Sequence, residues 1–250
     1  MTGIAPSIKV GDLFTTNEGY RVKVIKYTNF QNVLIKFQDE YKHRALVNAG
    51  NLKKGRVKNP YHKTICGVGF YGVGDFKAFD GVGNTAEYDA WRSMMKRCYD
   101  ERTLERNPAY KGCTVCDEWH NFQVFAEWYT SQEHYNKGYA LDKDLLINEN
   151  KVYSPNTCCL VPQAINSLLT DSAATRGKYP AGVYYIAKSN RFRAGISIDN
   201  KKVNIGRFDT VEQASQAYQV AKKANIKRMA LEWQNRIDER LFDALMAKAA

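Results

Sequence analysis

The chain has 250 residues, with 37 Lys and Arg against 26 Asp and Glu, a formal net charge of +11. A hydrophobic content of 44%, with aromatics making up 12% of the chain, is enough to build packed cores and excludes wholesale disorder. No apolar run approaches the roughly 20 residues needed to span a bilayer. Met1-Thr-Gly-Ile-Ala-Pro6 has neither the basic start nor the apolar stretch of a signal peptide. The expectation is a soluble, cytoplasmic protein whose basic surplus favours a polyanion such as nucleic acid.

The charge is unevenly spread. Residues 1–66 hold 12 basic against 4 acidic side chains, residues 67–175 hold 10 against 15, and residues 176–230 hold 12 against 3. Two basic modules therefore flank an acidic centre. Such a layout suits flanks that grip phosphates and central carboxylates that hold a metal, the plainer alternative being a middle domain with an ordinary surface.

In chain order, residues 8–57 read as short strands. Turns at Lys9–Asp12 and Asn17–Gly19 precede Tyr20–Tyr27 and Asn32–Phe37, which alternate in the strand manner. This pattern predicts a small β-barrel over 1–66, comparable to a Src-homology-three-like fold, and its charge predicts a grip on phosphate backbones. Residues 67–84 are glycine-rich and read as a connector. Gly67–Gly72 fits a GxGxxG string but lacks the following helix that a dinucleotide loop needs.

From Thr85 the period becomes helical, with Tyr88, Trp91, Met95 and Cys98 on one face. A second helix is expected around 117–130, with Trp119, Phe122, Phe125 and Trp128 as core. Leu141–Leu146 reads as a strand with Asp142 and Asp144 on one face. A helix containing Asn166 is expected to start near Gln163. Six cysteines without an export signal should be reduced thiols. Cys113-Thr-Val-Cys116 has the spacing of half a zinc site, and Cys98, Cys113, Cys116 and Cys158 could hold a structural zinc. No second half with matching spacing exists, which favours thiols packed as small hydrophobes.

Three alternating strands follow, Ala181–Ala187, Phe192–Ile198 and Val203–Phe208, with turns at Ser189-Asn190 and Asp199-Asn200. Thr210 caps a helix from Val211, and a further helix over about 230–248 carries Leu231, Trp233, Ile237, Leu241 and Leu245, a face that could pair with a second copy.

The strings Gly182-Val-Tyr-Tyr185, Arg191-Phe-Arg-Ala194, Ile205-Gly-Arg-Phe-Asp-Thr210 and Glu212–Tyr218 resemble the AP-two-type DNA-binding domain of ethylene-response factors. That resemblance implies a three-stranded sheet in the major groove of double-stranded DNA, contacted through Tyr185, Lys188, Arg191, Arg193, Lys202 and Arg207. Arginine pairing with guanine edges fits the same picture.

The middle, from Trp91-Arg-Ser-Met-Met-Lys-Arg-Cys98 through Leu141–Asp144 and Tyr153-Ser-Pro-Asn-Thr-Cys158 to Asn166, resembles a phage-type HNH endonuclease domain. The resemblance implies a strand–strand–helix unit around one Mg²⁺ or Mn²⁺, with Asp142 and Asn166 as ligands and Asn156 bracing the loop; Asp144, on the same face as Asp142, would be a second ligand or orient Lys143. Where that family has a general-base His, this chain has Lys143, which is protonated at neutral pH and could only add positive charge to a phosphate transition state. His120 or His134 would have to supply the base.

The expectation as a whole is an α+β, multidomain chain. A small β-barrel over 1–66 and a connector over 67–84 precede an HNH-like domain over 85–172. An AP-two-like domain with its terminal helix fills 178–250. The implied activity is that of a homing or freestanding bacteriophage endonuclease, a DNA hydrolase. The alternative is an inactive DNA-binding or regulatory protein on the same scaffold.

Overall fold

The computed structural model describes residues 7–169 and 178–250. It is a mixed α and β chain. Strands β1 (Leu13–Thr15), β2 (Arg21–Asn29), β3 (Asn32–Phe37) and β4 (Arg44–Val47) form one antiparallel sheet in sequence order. Alternation decides its faces: Val22, Val24, Val33, Ile35 and Phe37 all turn inward and are fully buried. Helix α1 (Ala49–Lys53) is capped by Asn48, whose side chain accepts from the Gly50 and Asn51 N–H groups. The cap sets Leu52 against the sheet, where Ile8 and Val57 complete the core.

The expected closed barrel is not found. Among the described residues β1 pairs only with β2 and β4 only with β3. The outer strands have three and four residues, too short to meet around the core, and α1 covers the open side instead.

Residues 67–84, expected as a connector, are sewn to the central core. The Phe70 N–H donates to the His120 carbonyl (2.9 Å) and the Phe122 N–H to that of Phe70 (3.0 Å). The Gln123 amide exchanges both of its bonds with the Phe76 backbone, each at 3.0 Å. Gly72 shows why glycine is needed here. At φ +76° it lies so close to Asn121 that a Cβ would strike that side chain.

Helix α2 (Ala86–Tyr99), capped by Thr85, buries Trp91, Met94, Met95 and Cys98. A short helix α3 (Glu101–Arg106) follows. The expected 117–130 helix divides in two, a 3₁₀ turn at Asp117–His120 and helix α4 (Phe122–Ser131), because the Asn121 side chain caps a fresh start by accepting from the Gln123 N–H. The Trp91 indole N–H donates to the Trp119 carbonyl at 2.7 Å, so the largest buried ring is also polar-satisfied.

Strand β5 (Thr114–Val115) pairs in parallel with β7 (Val152–Tyr153), while β6 (Ala140–Asp142) pairs antiparallel with β8 (Cys159–Val161), which leads into α5 (Gln163–Leu169). The expected strand to Leu146 stops at Asp142. Its Oδ1 accepts the N–H groups of Asp144 and Leu145 (2.8 and 2.9 Å) and turns the chain. Asp144 is therefore not a strand neighbour of Asp142.

The last sheet is β9 (Val183–Ile186), β10 (Arg191–Ile198) and β11 (Lys201–Phe208), with β10 central. Asp199 and Asn200 both take positive φ (50° and 63°), which joins β10 to β11 in a tight hairpin. Helix α6 (Val211–Trp233) starts on the Thr210 cap and runs unbroken through the point where a second helix was expected to begin. No Gly or Pro interrupts it. The chain breaks instead before Asp238, which caps α7 (Glu239–Ala249).

Helix α6 belongs to two cores. Ala214, Ala217 and Tyr218 pack under the sheet with Val183 and Ala194. Ile226, Met229 and Ala230 pack with Cys159, Val161, Ile165, Leu241 and Leu245 from β8, α5 and α7. Arg228 fastens this junction by donating to Asp199 in the β10–β11 turn (2.9 Å) and to Glu232 (3.0 Å). Of the face that could pair with a second copy, Ile237, Leu241 and Leu245 are covered within the chain, while Leu231 stays exposed.

Candidate nucleic-acid interface

On β10 the side chains alternate between α6 and the outside. Phe192 and Ala194 join the core, while Arg193 and Ser197 face out. Arg193 stands directly opposite Arg207 on β11 and Tyr184 on β9, so the three form one row across the sheet. The Arg193 guanidinium lies 5.4 Å from the centre of the Tyr184 ring. A shift of register between Ala194 and Gly195 then places Asn204 opposite Gly195 and Lys202 opposite Ser197. The result is an open, shallow groove of about 320 Å³ that includes Tyr184, Arg193, Ser197, Lys202 and Asn204. It offers cations, a ring face and an amide across the three strands β9, β10 and β11.

The six expected contact residues divide. Arg193, Arg207 and Lys202 share this face. Arg191 lies at its margin, with Nε 2.8 Å from Asp209 Oδ1, an ion pair that occupies its charge. Tyr185 is turned to the opposite side. Its ring centre lies 5.3 Å from that of Phe192, and its hydroxyl donates to Asn190 Oδ1 (2.6 Å). Lys188 is exposed in the turn between β9 and β10. Tyr184, Ser197 and Asn204 were missed, although strand alternation from Arg193, once the pairing is known, would have found Tyr184.

The expected nuclease residues have different surroundings. Antiparallel β6 and β8 followed by α5 make a strand–strand–helix unit, with Asp142 at the end of its first strand opposite Cys159. Lys143 is only 4% exposed. Its ammonium donates to Asp144 Oδ1 and to the Asn150 carbonyl (2.9 Å), and lies 5.8 Å from the Tyr153 ring centre. The Asn150 amide returns a bond to the Lys143 carbonyl (2.9 Å) and another to Val152 (2.7 Å). Lys143 thus clamps the loop between the strands.

Asn156 is exposed and makes no hydrogen bond among the described residues. The bracing expected of it falls to Asn150 and to Thr157, whose hydroxyl donates to the Val152 carbonyl (2.6 Å). Asn166 is half-buried on α5. His120 is held near Tyr99 (3.4 Å to its hydroxyl) and Asp117 (3.8 Å), and His134 lies beside Leu160 and Asp238. Spacing could not reveal Arg97 of α2. Burial opposes its charge, but interactions with Tyr153 above all, then Tyr110 and least the Asp142 carboxylate, more than offset that.

A divalent ion takes oxygen ligands, several of them commonly water, and one or two carboxylates can hold it. Asp142 has committed one oxygen to the turn, and the cation nearest in sequence, Lys143, is joined by Arg97 from α2. Among the described residues no three His, Cys, Asp or Glu side chains gather as a metal-binding set, whether at Asp142 or at Cys98, Cys113, Cys116 and Cys158. Burial pushes the thiols of Cys98 and Cys158 up to about 12 and that of Cys116 to about 11. Among the described residues no helix is long and apolar enough to cross a membrane.

Comparison with protein-family models, curated proteins and solved structures finds no match for this chain.

Proposed function

We propose that this chain binds double-stranded DNA and reads its sequence with the open face of β9–β11. The observation that carries the reading is the cross-strand row Tyr184–Arg193–Arg207 on the face opposite α6. Arginine can meet the O6 and N7 edge of guanine with two bonds, and a flanking amide such as Asn204 suits adenine. Phosphate contacts from Lys202 and Lys188 would set the register of the sheet on the duplex. The central strand–strand–helix unit then serves as scaffold, tied off by Lys143 and Asn150.

The test is duplex binding followed by fluorescence anisotropy, after selection of a preferred site from random duplexes. Arg193→Ala with Arg207→Ala should abolish the preference for the selected site and leave weak, salt-sensitive binding. A double variant that keeps the preference removes the reading.

A second reading, phosphodiester hydrolysis, is favoured by one observation: the β6–β8–α5 order with Asp142 at the first strand's end. Incubation of the bound duplex with Mg²⁺ or Mn²⁺ decides it. Cleavage that disappears in Asp142→Ala, with affinity unchanged, would establish the enzyme over the binder.

A further inference from the structure

The N-terminal sheet has an outer face as well. Residues that stand directly opposite one another in a sheet point the same way. The register places Leu13 opposite Lys23, Lys23 opposite Lys36, and Lys36 opposite Arg44. One row across the sheet therefore carries three consecutive cations. Arg21 and Lys26 flank it on β2, both exposed. The four strands contain no Asp or Glu at all, and none of the row's cations has an ion-pair partner among the described residues.

Like charges directly opposite one another destabilise a sheet. Folding alone gives no reason to place three in a row, whereas a polyanion lying across them does. At about 4.8 Å per strand the row spans about 10 Å, roughly three base steps of axial rise along one DNA strand.

We infer that the outer face of β2–β4 is a second duplex contact, one that holds the phosphate backbone without reading sequence. It rests on the proposed function in taking double-stranded DNA as the partner. The chemistry of the two faces assigns their roles. Lys23 and Lys36 are point charges on flexible stems, with no ring or amide in their row. The C-terminal row sets Arg193 against Tyr184, with Asn204 near by. The chain would then grip the duplex at two places with separate tasks.

The variant Lys23→Gln/Lys36→Gln/Arg44→Gln tests this in the full chain, because it leaves the buried face of Val22, Val24 and Ile35 untouched. The log–log dependence of duplex affinity on salt should flatten by about 2.7, and affinity near 100 mM salt should fall on the order of 100-fold. Preference for the selected site should persist. Thermal stability should hold or rise, since the like-charge row is gone, and this also confirms that the variant folds.

Unchanged affinity and slope in the triple variant, with loss of preference in the Arg193/Arg207 variant, would overturn the second contact and leave the proposed function standing. Loss in the triple variant with none in the Arg193/Arg207 variant would do the reverse. A wild-type chain that binds no duplex overturns both. A triple variant that keeps duplex affinity but no longer binds phosphatidylserine vesicles would show that the face serves a membrane surface instead.

Discussion

The N-terminal and C-terminal sheets each turn one face to a core and present cations on the other, yet they differ in what supports them and in what accompanies the charge. The first sheet closes its own core: Val22, Val24, Val33, Ile35 and Phe37 meet Leu52 within one short stretch of chain. Beneath the second, Val183, Ala194 and Ala214 form a small buried cluster. Its support comes from α6, whose far half is anchored by β8, α5 and α7. The more elaborate outer face thus stands on the thinner local core. A small module can present a large polar face when a helix borrowed from its neighbour supplies the missing burial.

The largest expected effects probe that difference in support. Leu241 lies on α7, is fully buried, and touches no part of the C-terminal sheet's own core. Leu241→Ala should cost about 2–5 kcal/mol. Amide hydrogen exchange should speed up in α6 and β9–β11 while β2 and β3 stay protected. Ile35→Ala should cost a similar amount with the opposite pattern. Equal deprotection of both sheets in either variant would mean that the chain unfolds as one unit and the contrast in support is unreal.

A smaller effect separates the arginines of the C-terminal face. Arg193→Ala should weaken binding to the selected duplex by about 1–3 kcal/mol and relax discrimination at one base pair. Arg191 already has Asp209 at 2.8 Å, so Arg191→Ala should change affinity by well under about 1 kcal/mol. Competition between duplexes differing at single positions measures both. A larger loss from Arg191 than from Arg193 would show that the Asp209 pair opens on binding and that the face is wider than the resting structure displays.

Much of this contrast was legible in the sequence, and the illegible part has identifiable causes. The three C-terminal strands, their Asp199-Asn200 turn and the Thr210 cap follow from alternation and turn chemistry, which act within a few residues. Which arginine meets a carboxylate depends on register, and Tyr185 was misplaced for the same reason, since one step along a strand reverses the face. The barrel failed because strand pattern predicts pairing potential and says little about whether the outer strands are long enough to close. Residues 67–84 look like a connector because glycine suggests freedom, whereas Gly72 is there for close approach to Asn121. At the central unit the strand of Asp142 was read too long. An Asp followed two and three residues later by free N–H groups can turn the chain, and a strand count alone does not show it.

The smallest expected effect concerns acid, and it acts on the support of only one of the two sheets. Arg240, in the first turn of α7, donates from Nη2 to Asp238 Oδ2 at 2.7 Å and to the Cys158 carbonyl at 3.4 Å, and from Nη1 to the Pro155 carbonyl at 3.3 Å. It therefore pins α7 to the turn before β8. Burial acts to raise the Asp238 pKa, but the hydrogen bonds from the Arg240 side chain and N–H more than offset it, so the carboxyl sits below its ordinary value of 3.8. A carboxyl held lower in the folded state binds its proton less readily there than in the unfolded chain. Its contribution is complete above that ordinary value and is lost as pH falls through the folded one. The pair is a quarter to a half exposed, so the contribution should be no more than about 1 kcal/mol. Acid titration of urea unfolding should show wild type losing this increment below about pH 4, while Asp238→Asn, already without it, follows a flatter curve. Salt should shrink the difference. If the two curves run parallel to pH 2, Arg240 holds α7 through the two carbonyls alone, and the C-terminal sheet's support carries no acid-sensitive pair.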